Sequence, residues 1–443
     1  MIQSPFPPVS SEINDAFTLI ERIDHCLLEG LSSISPAGQQ TLSDCQQILA
    51  FTPLAPLAAE LCNQISSKNP MGIKAIAIIR SALLGTLHDV LLNSLRQTLG
   101  RSTDLSRIKP APQPSHPLSN SVQSFLEEIA WVGFARVTSD MIQSFRPVLE
   151  KIMQDPKLYN HGTMLSGLLQ EMNSPFVNAY SATQRWADLW SKALVCPMPK
   201  PLEPPVCESG TLYILGVSVH IHSQMFGYSA YGILKGSNLR QVRISQTRYR
   251  PELLPDSEVW ALHKDQAQLI QAISERQVLQ IQEMPILTSG VLLWDESKAS
   301  AVGTFDPLQI AQKTFGIEGL PSISFNLPEL DRHPVAIAEP TYLEDYKILP
   351  DGDRYVVEKE GQQVRLATER LNAVSEVTIE QLLDSEKLFG ILLFDAGEWM
   401  LHPMTLETSQ GLVYTGQLAG QRLYTHPTLS TLKERASKLL RKA

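Results

Sequence analysis

The chain has little of what reactive-site chemistry usually needs. Its five cysteines, Cys26, Cys45, Cys62, Cys196 and Cys207, are odd in number and widely spaced. None forms a C-x-x-C pair, which excludes a zinc ribbon and a dithiol redox motif. Gly-rich phosphate loops are missing too, because Gly85-Thr86 and Gly303-Thr304 lack both the preceding glycine and the lysine of a P-loop. Gly-x-Ser-x-Gly does not occur, and Gly216-Val217-Ser218 lacks the second glycine, so no hydrolase elbow is expected. Positive charge is scarce: with 37 Lys and Arg against 46 Asp and Glu, the formal net charge is -9. That balance argues against a large nucleic-acid footprint, which needs clustered cations to displace counterions. The one basic run, Lys433, Arg435, Lys438, Arg441 and Lys442, reads as the solvated face of a last helix starting near Ser430. The first residues, Met-Ile-Gln-Ser-Pro-Phe-Pro-Pro, have neither a basic nor an apolar signal region. The most apolar stretch, Ile73 to Leu92, is interrupted by Lys74, Arg80, His88 and Asp89. It reads as a buried amphipathic helix and not as a membrane span. A cytoplasmic location is the default expectation.

What is present is an internal repeat. Residues 19–65 match residues 122–168 without a gap. Leu19, Ile23, Cys26, Gly30, Leu31, Ile34 and Ser35 align with Val122, Leu126, Ile129, Gly133, Phe134, Val137 and Thr138. Farther on, Leu42, Leu49, Leu61, Cys62 and Ile65 align with Phe145, Ile152, Met164, Leu165 and Leu168. Apolar residues at Phe17, Ile20, Ile23 and Leu27 follow the spacing of a helix face, and Gly30 is suited to end that helix. Ser35-Pro36 then supplies an N-cap and a proline at the first helical position. A helix–Gly turn–helix unit used twice builds a continuous packing surface, not a reactive centre.

Two Pro-rich stretches, Lys109 to Pro117 and Cys196 to Cys207, read as extended spacers. After the second, the period changes from helix to strand. Thr211, Tyr213, Leu215, Val217, Val219 and Ile221 alternate with a more polar set, and Tyr228 to Leu234 and Leu239 to Tyr249 flank a hairpin loop at Gly236-Ser237-Asn238. His263 to Arg276 predicts a helix, Val291 to Trp294 a buried strand, and Leu412 to Gln417 a strand paired with Arg422 to Tyr424. A second, fainter echo joins Ser289–Glu296 to Phe389–Ala396, each with Gly, three aliphatics, an aromatic and Asp. The expected fold class is multidomain, α then α+β: an N-terminal duplicated helical bundle, then C-terminal mixed or antiparallel sheet domains with flanking helices. The expected domains are a first repeat unit at 1–106, a Pro-rich spacer at 107–120, a second unit at 121–195, a Pro-rich linker at 196–207, a mixed α+β domain at 208–338 and a smaller α+β domain with a C-terminal helix at 339–443.

His220-Ile221-His222 is the one cluster with metal-ligand character, since i and i+2 on a strand share a face. A polar sheet face explains it better, because the neighbouring strands read as hairpins and His263, His333, His402 and His426 are scattered. Cys207 has no basic neighbour to activate it. Asp295, Glu296, Asp306, Asp395 and Glu398 lie at strand ends, where the simpler reading is capping and turn formation. Arg240, Arg243, Arg248 and Arg250 among Tyr228, Tyr231 and Tyr249 suggest a nucleic-acid face, but Arg243 shares a side with Tyr249 while the other three point the opposite way.

The repeated unit, as in Leu126-Glu127-Glu128-Ile129 leading to Gly133-Phe134 and Val137-Thr138, resembles helical segments of bacterial accessory proteins. Those proteins are encoded with MoxR-type AAA+ ATPases and von Willebrand factor A-type proteins, often with a SWIM zinc-finger protein. The resemblance implies a non-catalytic protein partner in such a system, with an AAA+ ATPase as its binding partner. The chain itself has no Walker motif and no C-x-C…C-x-H, so neither the ATPase nor the zinc site is implied for it. The first expectation is therefore a protein-interaction adaptor, not an enzyme, without cofactor. The alternatives are a hydrolase holding a divalent metal on His220 and His222, and single-stranded nucleic-acid binding through the central sheet.

Overall fold

The computed structural model describes residues 10–100, 118–155, 158–173, 178–195, 205–221, 225–251, 254–287, 290–315, 335, 337–359, 361–371, 374–395 and 397–423. His222, His333, His426, most of both Pro-rich stretches and the basic run lie outside these residues. Helices come first: α1 (Ser11–Glu29), α2 (Pro36–Ile48), α3 (Ala55–Ala59), α4 (Leu61–Ser66), α5 (Pro70–Thr98), α6 (Ser119–Val132), α7 (Ser139–Gln154), α8 (Tyr159–Met172) and α9 (Ala179–Val195). Each of these helices contributes to one continuous apolar core, from Leu19 and Ile73 to Ile129 and Trp190.

Local signals account for the helix ends. Ser35 accepts from the Gly38 amide at 3.2 Å and Thr138 from the Met141 amide at 3.3 Å, each satisfying an orphan donor of the first turn. Gly30 and Gly133 end α1 and α6 with nearly the same backbone, φ 97 ψ 133 and φ 99 ψ 140. This is not the left-handed helical cap expected from the sequence. It combines a positive φ with an extended ψ, a conformation essentially reserved for glycine. Each glycine is followed by one 3-10 turn, Leu31–Ser33 and Phe134–Arg136. The two turns pack on each other. A Cβ on Gly30 would come within 2.9 Å of the Gly133 amide nitrogen, and one on Gly133 within 2.6 Å of the Gly30 amide nitrogen. Arg136 donates to the Ser33 hydroxyl at 3.2 Å, and Trp190 of α9 donates to the Leu126 carbonyl of α6 at 2.8 Å.

Charge is also buried in this core. Arg80 of α5, with no exposed surface, donates to both oxygens of Asp24 of α1 at 2.5 and 2.8 Å. It also pairs with Asp188 of α9 at 2.6 Å and donates to Ser191 at 3.2 Å. Three helices from the two repeat regions thus share one guanidinium. Burial pushes the Asp24 carboxyl up to about 6, with Arg80 opposing and Asp188 and Glu21 adding to the rise. A carboxyl raised on folding holds its proton more tightly folded than unfolded, so its contribution makes stability fall as pH rises from about 4 and levels off above its folded value. Asp24→Asn removes that contribution. The wild type's stability relative to the variant, from urea midpoints, is expected to decline between pH 4 and pH 6; a difference independent of pH would contradict the assignment.

α5 is long and apolar enough to cross a membrane by composition, but 56% of its most apolar window is buried inside the protein. Its last turns leave the bundle. Leu91, Leu92 and Leu95 join the core of the second sheet, and Arg96 donates to Glu339 at 3.0 Å with both side chains buried. One helix therefore ties the helical half to the sheet half.

Among the described residues, the sheet half contains two sheets. Sheet A comprises β1 (Val206–Ile221), β2 (Met225–Lys235), β3 (Leu239–Tyr249), β4 (Gln277–Ile286) and β5 (Ala299–Thr304), antiparallel in the order β3-β2-β1-β4-β5. One face is closed by a 3-10 segment, Asp256–Gln266, and by α10 (Ala267–Glu275), around Trp260, Phe226 and Tyr228. After α11 (Pro307–Phe315), sheet B is built from β6 (Ile337–Glu344), β7 (Lys347–Asp351), β8 (Arg354–Lys359), β9 (Gln362–Leu366), β10 (Ser385–Asp395), β11 (Glu398–Thr408) and β12 (Gly411–Tyr414). Its order is β6-β10-β11-β9-β8-β7 with β12 on β11, and the β9–β11 pair is parallel. Of two short helices, α12 (Ile379–Leu383) packs against β11, and α13 (Ala419–Arg422) returns to α10 and the core of sheet A. The helical-then-α+β layout is thus present.

Three details differ from the sequence reading. Val291 and Leu292 make only isolated bridges, to Arg243 and Ile286, and Leu293 is substantially exposed, so no strand forms there. Gly290 has φ 77 in a turn whereas Gly390 lies inside β10, so the 289–296 and 389–396 segments are not structural counterparts. Leu412 to Tyr414 pairs with β11, and Arg422, expected in a partner strand, belongs to the helical Ala419–Arg422; Tyr424 lies outside the described residues.

Candidate functional site

The candidate residues fall into two places. Most of the carboxylates serve structure. Asp295 accepts from the Ser297 amide at 3.0 Å and its hydroxyl at 2.6 Å, and these bonds hold its carboxyl below the usual range. Asp306 caps α11 through the Leu308 amide at 2.9 Å. Glu296 accepts from the Leu269 amide at 3.3 Å, and Glu398 pairs with Arg365 at 3.1 Å. Asp395 is paired with Glu398 across the β10–β11 hairpin. Cys207 is exposed near the start of β1, in register with Pro285.

The arginines of the central sheet are mostly engaged with acids. Arg240 pairs with Glu208 at 3.3 Å, Arg248 with Asp265 at 2.5 Å and Arg250 with Asp256 at 2.6 Å. Such pairing works against a phosphate-binding stripe. His263 is wholly buried on the helix-covered face of sheet A, edge-on to Phe226 and Tyr228, and burial pushes it down to about 4.

His220 lies on the other face of β1, which looks toward sheet B. Cross-strand register puts His220 beside Gly227, Ser218 beside Ser229, and Gly216 beside Tyr231. The neighbouring row of β3 adds Thr247, Ser245 and Arg243. Sheet B meets this face through Phe389, Ile391 and Met404. His402 of β11 is opposite Ile391 in register and lies near His220. It is 3% exposed, and neither ring nitrogen has a hydrogen-bond partner. Burial, then the charges of Arg370 and His220, push it down to about 3. The structure therefore brings His402, from the second sheet, within electrostatic range of His220. Nothing in the sequence points to that partner, because His402 sits far along the chain before a proline. Among the described residues no three His, Cys, Asp or Glu side chains converge as a metal centre would require.

The second place is a groove of about 620 Å³ between α7 and α8. Ile142, Leu149, Met153 and Leu169 give it an apolar floor, and Gln143, Gln170 and Asn173 stand among its polar lining. Arg146 and Glu150 on its wall neutralise each other at 3.2 Å.

No protein-family model matches the chain, and a search of curated proteins finds no match either.

Proposed function

We propose that the protein is a non-catalytic docking adaptor whose N-terminal half is a duplicated helical bundle, and that the groove between α7 and α8 receives an amphipathic helix of a protein partner. The single observation carrying this reading is the chemistry of the groove at positions matched by the repeat. Ile142, Leu149 and Met153 correspond to Gln39, Gln46 and Ala50 in the first copy. Positions that are polar or small in one copy are apolar in the other, where Ile142 and Leu149 pack partly against the bundle core and still face solvent in part. A floor of aliphatic side chains between two helices, with polar groups at its edge, suits apolar residues at i, i+3, i+4 and i+7 of a third helix. The matched glycine turns and the shared Arg80 guanidinium support a stiff platform beneath it. The resemblance to accessory proteins makes an AAA+ ATPase the first partner to test.

The expected result is specific. A Leu149→Arg/Met153→Arg variant keeps the helical circular dichroism spectrum and a cooperative melt at a somewhat lower temperature, yet loses a partner that co-purifies with wild type from native lysate. Equal recovery of that partner by both proteins would overturn the assignment of the groove.

A further inference from the structure

One turn of the first repeat copy carries its apolar side chains outward. Phe51, between α2 and α3, is 100% exposed, more than any other large hydrophobic residue among those described. Ile48, at the end of α2, is 56% exposed, and Ala50, Pro53 and Pro56 are exposed as well. From Cys45 to Ala59 the chain has no charged residue. Isolated surface hydrophobics are ordinary, whereas an uncharged turn tipped by a bare aromatic ring marks a contact point. Such a ring buries a large apolar area for the loss of only two side-chain rotations.

The chain also holds a socket for this knob. In the ungapped repeat, Ala50 and Phe51 correspond to Met153 and Gln154, which line the α7–α8 groove. At equivalent places, then, the first copy of the unit protrudes and the second is hollow. Phe51 is wholly exposed, so the groove of its own chain does not hold it. Charge permits contact between two chains here. Residues 1–195 hold nearly equal numbers of acids and bases, so most of the net charge of -9 lies in the sheet half. Within the groove, Arg146 and Glu150 pair at 3.2 Å and leave no net charge to oppose the uncharged turn. Self-repulsion, which keeps strongly charged chains apart, is therefore weak between these two faces.

We propose that Phe51 of one copy inserts into the α7–α8 groove of a second copy, against Leu149, Met153 and Leu169, with Ile48 beside it. This rests on the docking reading of the groove and adds its regulation, because self-association covers the site that the partner would use. The contact is heterologous, and each chain offers one knob and one socket. An aromatic side chain buries about 150–250 Å², well short of the ~800 Å² per partner of a stable interface. Copies therefore associate only at about 10 μM and above, and in dilute lysate the groove is open.

Sedimentation velocity of the full chain, from about 1 to about 500 μM, is the test. The wild type is expected to move from monomer to dimer and larger species as concentration rises. Phe51→Ser stays monomeric and fully folded, since the side chain it alters is wholly exposed. Leu149→Arg/Met153→Arg stays monomeric too. An equimolar mixture of the two variants restores one knob and one socket, and is expected to give a 1:1 dimer and nothing larger. A photoreactive phenylalanine analogue at position 51 supplies a readout that does not depend on the groove variant's folding. At high concentration its adducts map to α7 or α8 of a second copy. A wild type that stays monomeric throughout, association that persists in Phe51→Ser, or adducts that map elsewhere would overturn the proposal. A monomeric wild type whose groove variant still loses the co-purifying partner would overturn self-association alone and leave the docking reading in place.

Discussion

Arg80→Ala is expected to destabilise the helical half by about 3–5 kcal/mol, the range for breaking a buried ion pair by removing one partner. Most domains have only about 5–15 kcal/mol in total, so the loss is severe. Its origin is electrostatic more than steric. Arg80 is fully buried, and Asp24 and Asp188, nearly so, both take it as their close cation. Burial works against the charged guanidinium, but the hydrogen bonds and charges of the two carboxylates outweigh it and raise its pKa. Without Arg80, two desolvated carboxylates face each other and must take up protons to remain inside. The deficit should therefore be largest near about pH 8 and shrink toward about pH 5, as the carboxyls protonate. Guanidinium midpoints at both pH values check it. A uniform, small deficit would show that the triad contributes little, as exposed pairs do.

Gly133→Ala is expected to cost about 3 kcal/mol or more, from a backbone conformation closed to other residues and from overpacking against a neighbouring backbone. At φ 99 an alanine is strained even in open space, and here its Cβ would meet Glu29 and Gly30 backbone atoms at 2.6 to 2.7 Å. Backbone cannot rotate aside as a flexible side chain can, so α1 and α6 must separate. Gly30→Ala meets the reciprocal overlap and should behave alike. Gly85→Ala is the control, because Gly85 lies inside α5 and a methyl group placed there would meet nothing within 4 Å. There alanine should gain up to about 1 kcal/mol from helix propensity. Thermal melts of the three variants separate a local glycine effect from the contact between the two turns.

How much of this was legible in the chain varies by element. The places of the glycine turns and their N-caps were, though not the backbone conformation at Gly30 and Gly133, because Gly30, Ser35, Gly133 and Thr138 act on their own backbone within a few residues. The β2–β3 hairpin was too, since its loop and alternation are local. β4 was not expected. Its Gln-Val-Leu-Gln-Ile-Gln-Glu-Met-Pro-Ile sequence is interrupted by Glu283 at φ 47, and β1 completes its pairing from a distant part of the chain. Val291 to Trp294 looks like a strand by composition, but the hydrogen-bonding edge of β3 accepts only two of its residues. The Arg80 triad and the approach of His402 toward the sheet A face that carries His220 depend on which elements pack together, and no periodicity encodes that. The groove stands between these cases. Ile142, Leu149 and Met153 lie on α7 at helical spacing, and only the structure reveals that the side they share with Leu169 of α8 stays partly open.

The most direct test of the docking account places a photoreactive amino acid at Met153 and, in a second protein, at its matched position in the first copy, Ala50. Irradiation in native lysate is followed by mass spectrometry of the cross-linked species. The account predicts one recurrent protein adduct through a helical segment at position 153 and none at position 50. Equal labelling at both positions, or adducts at position 50 alone, would contradict it.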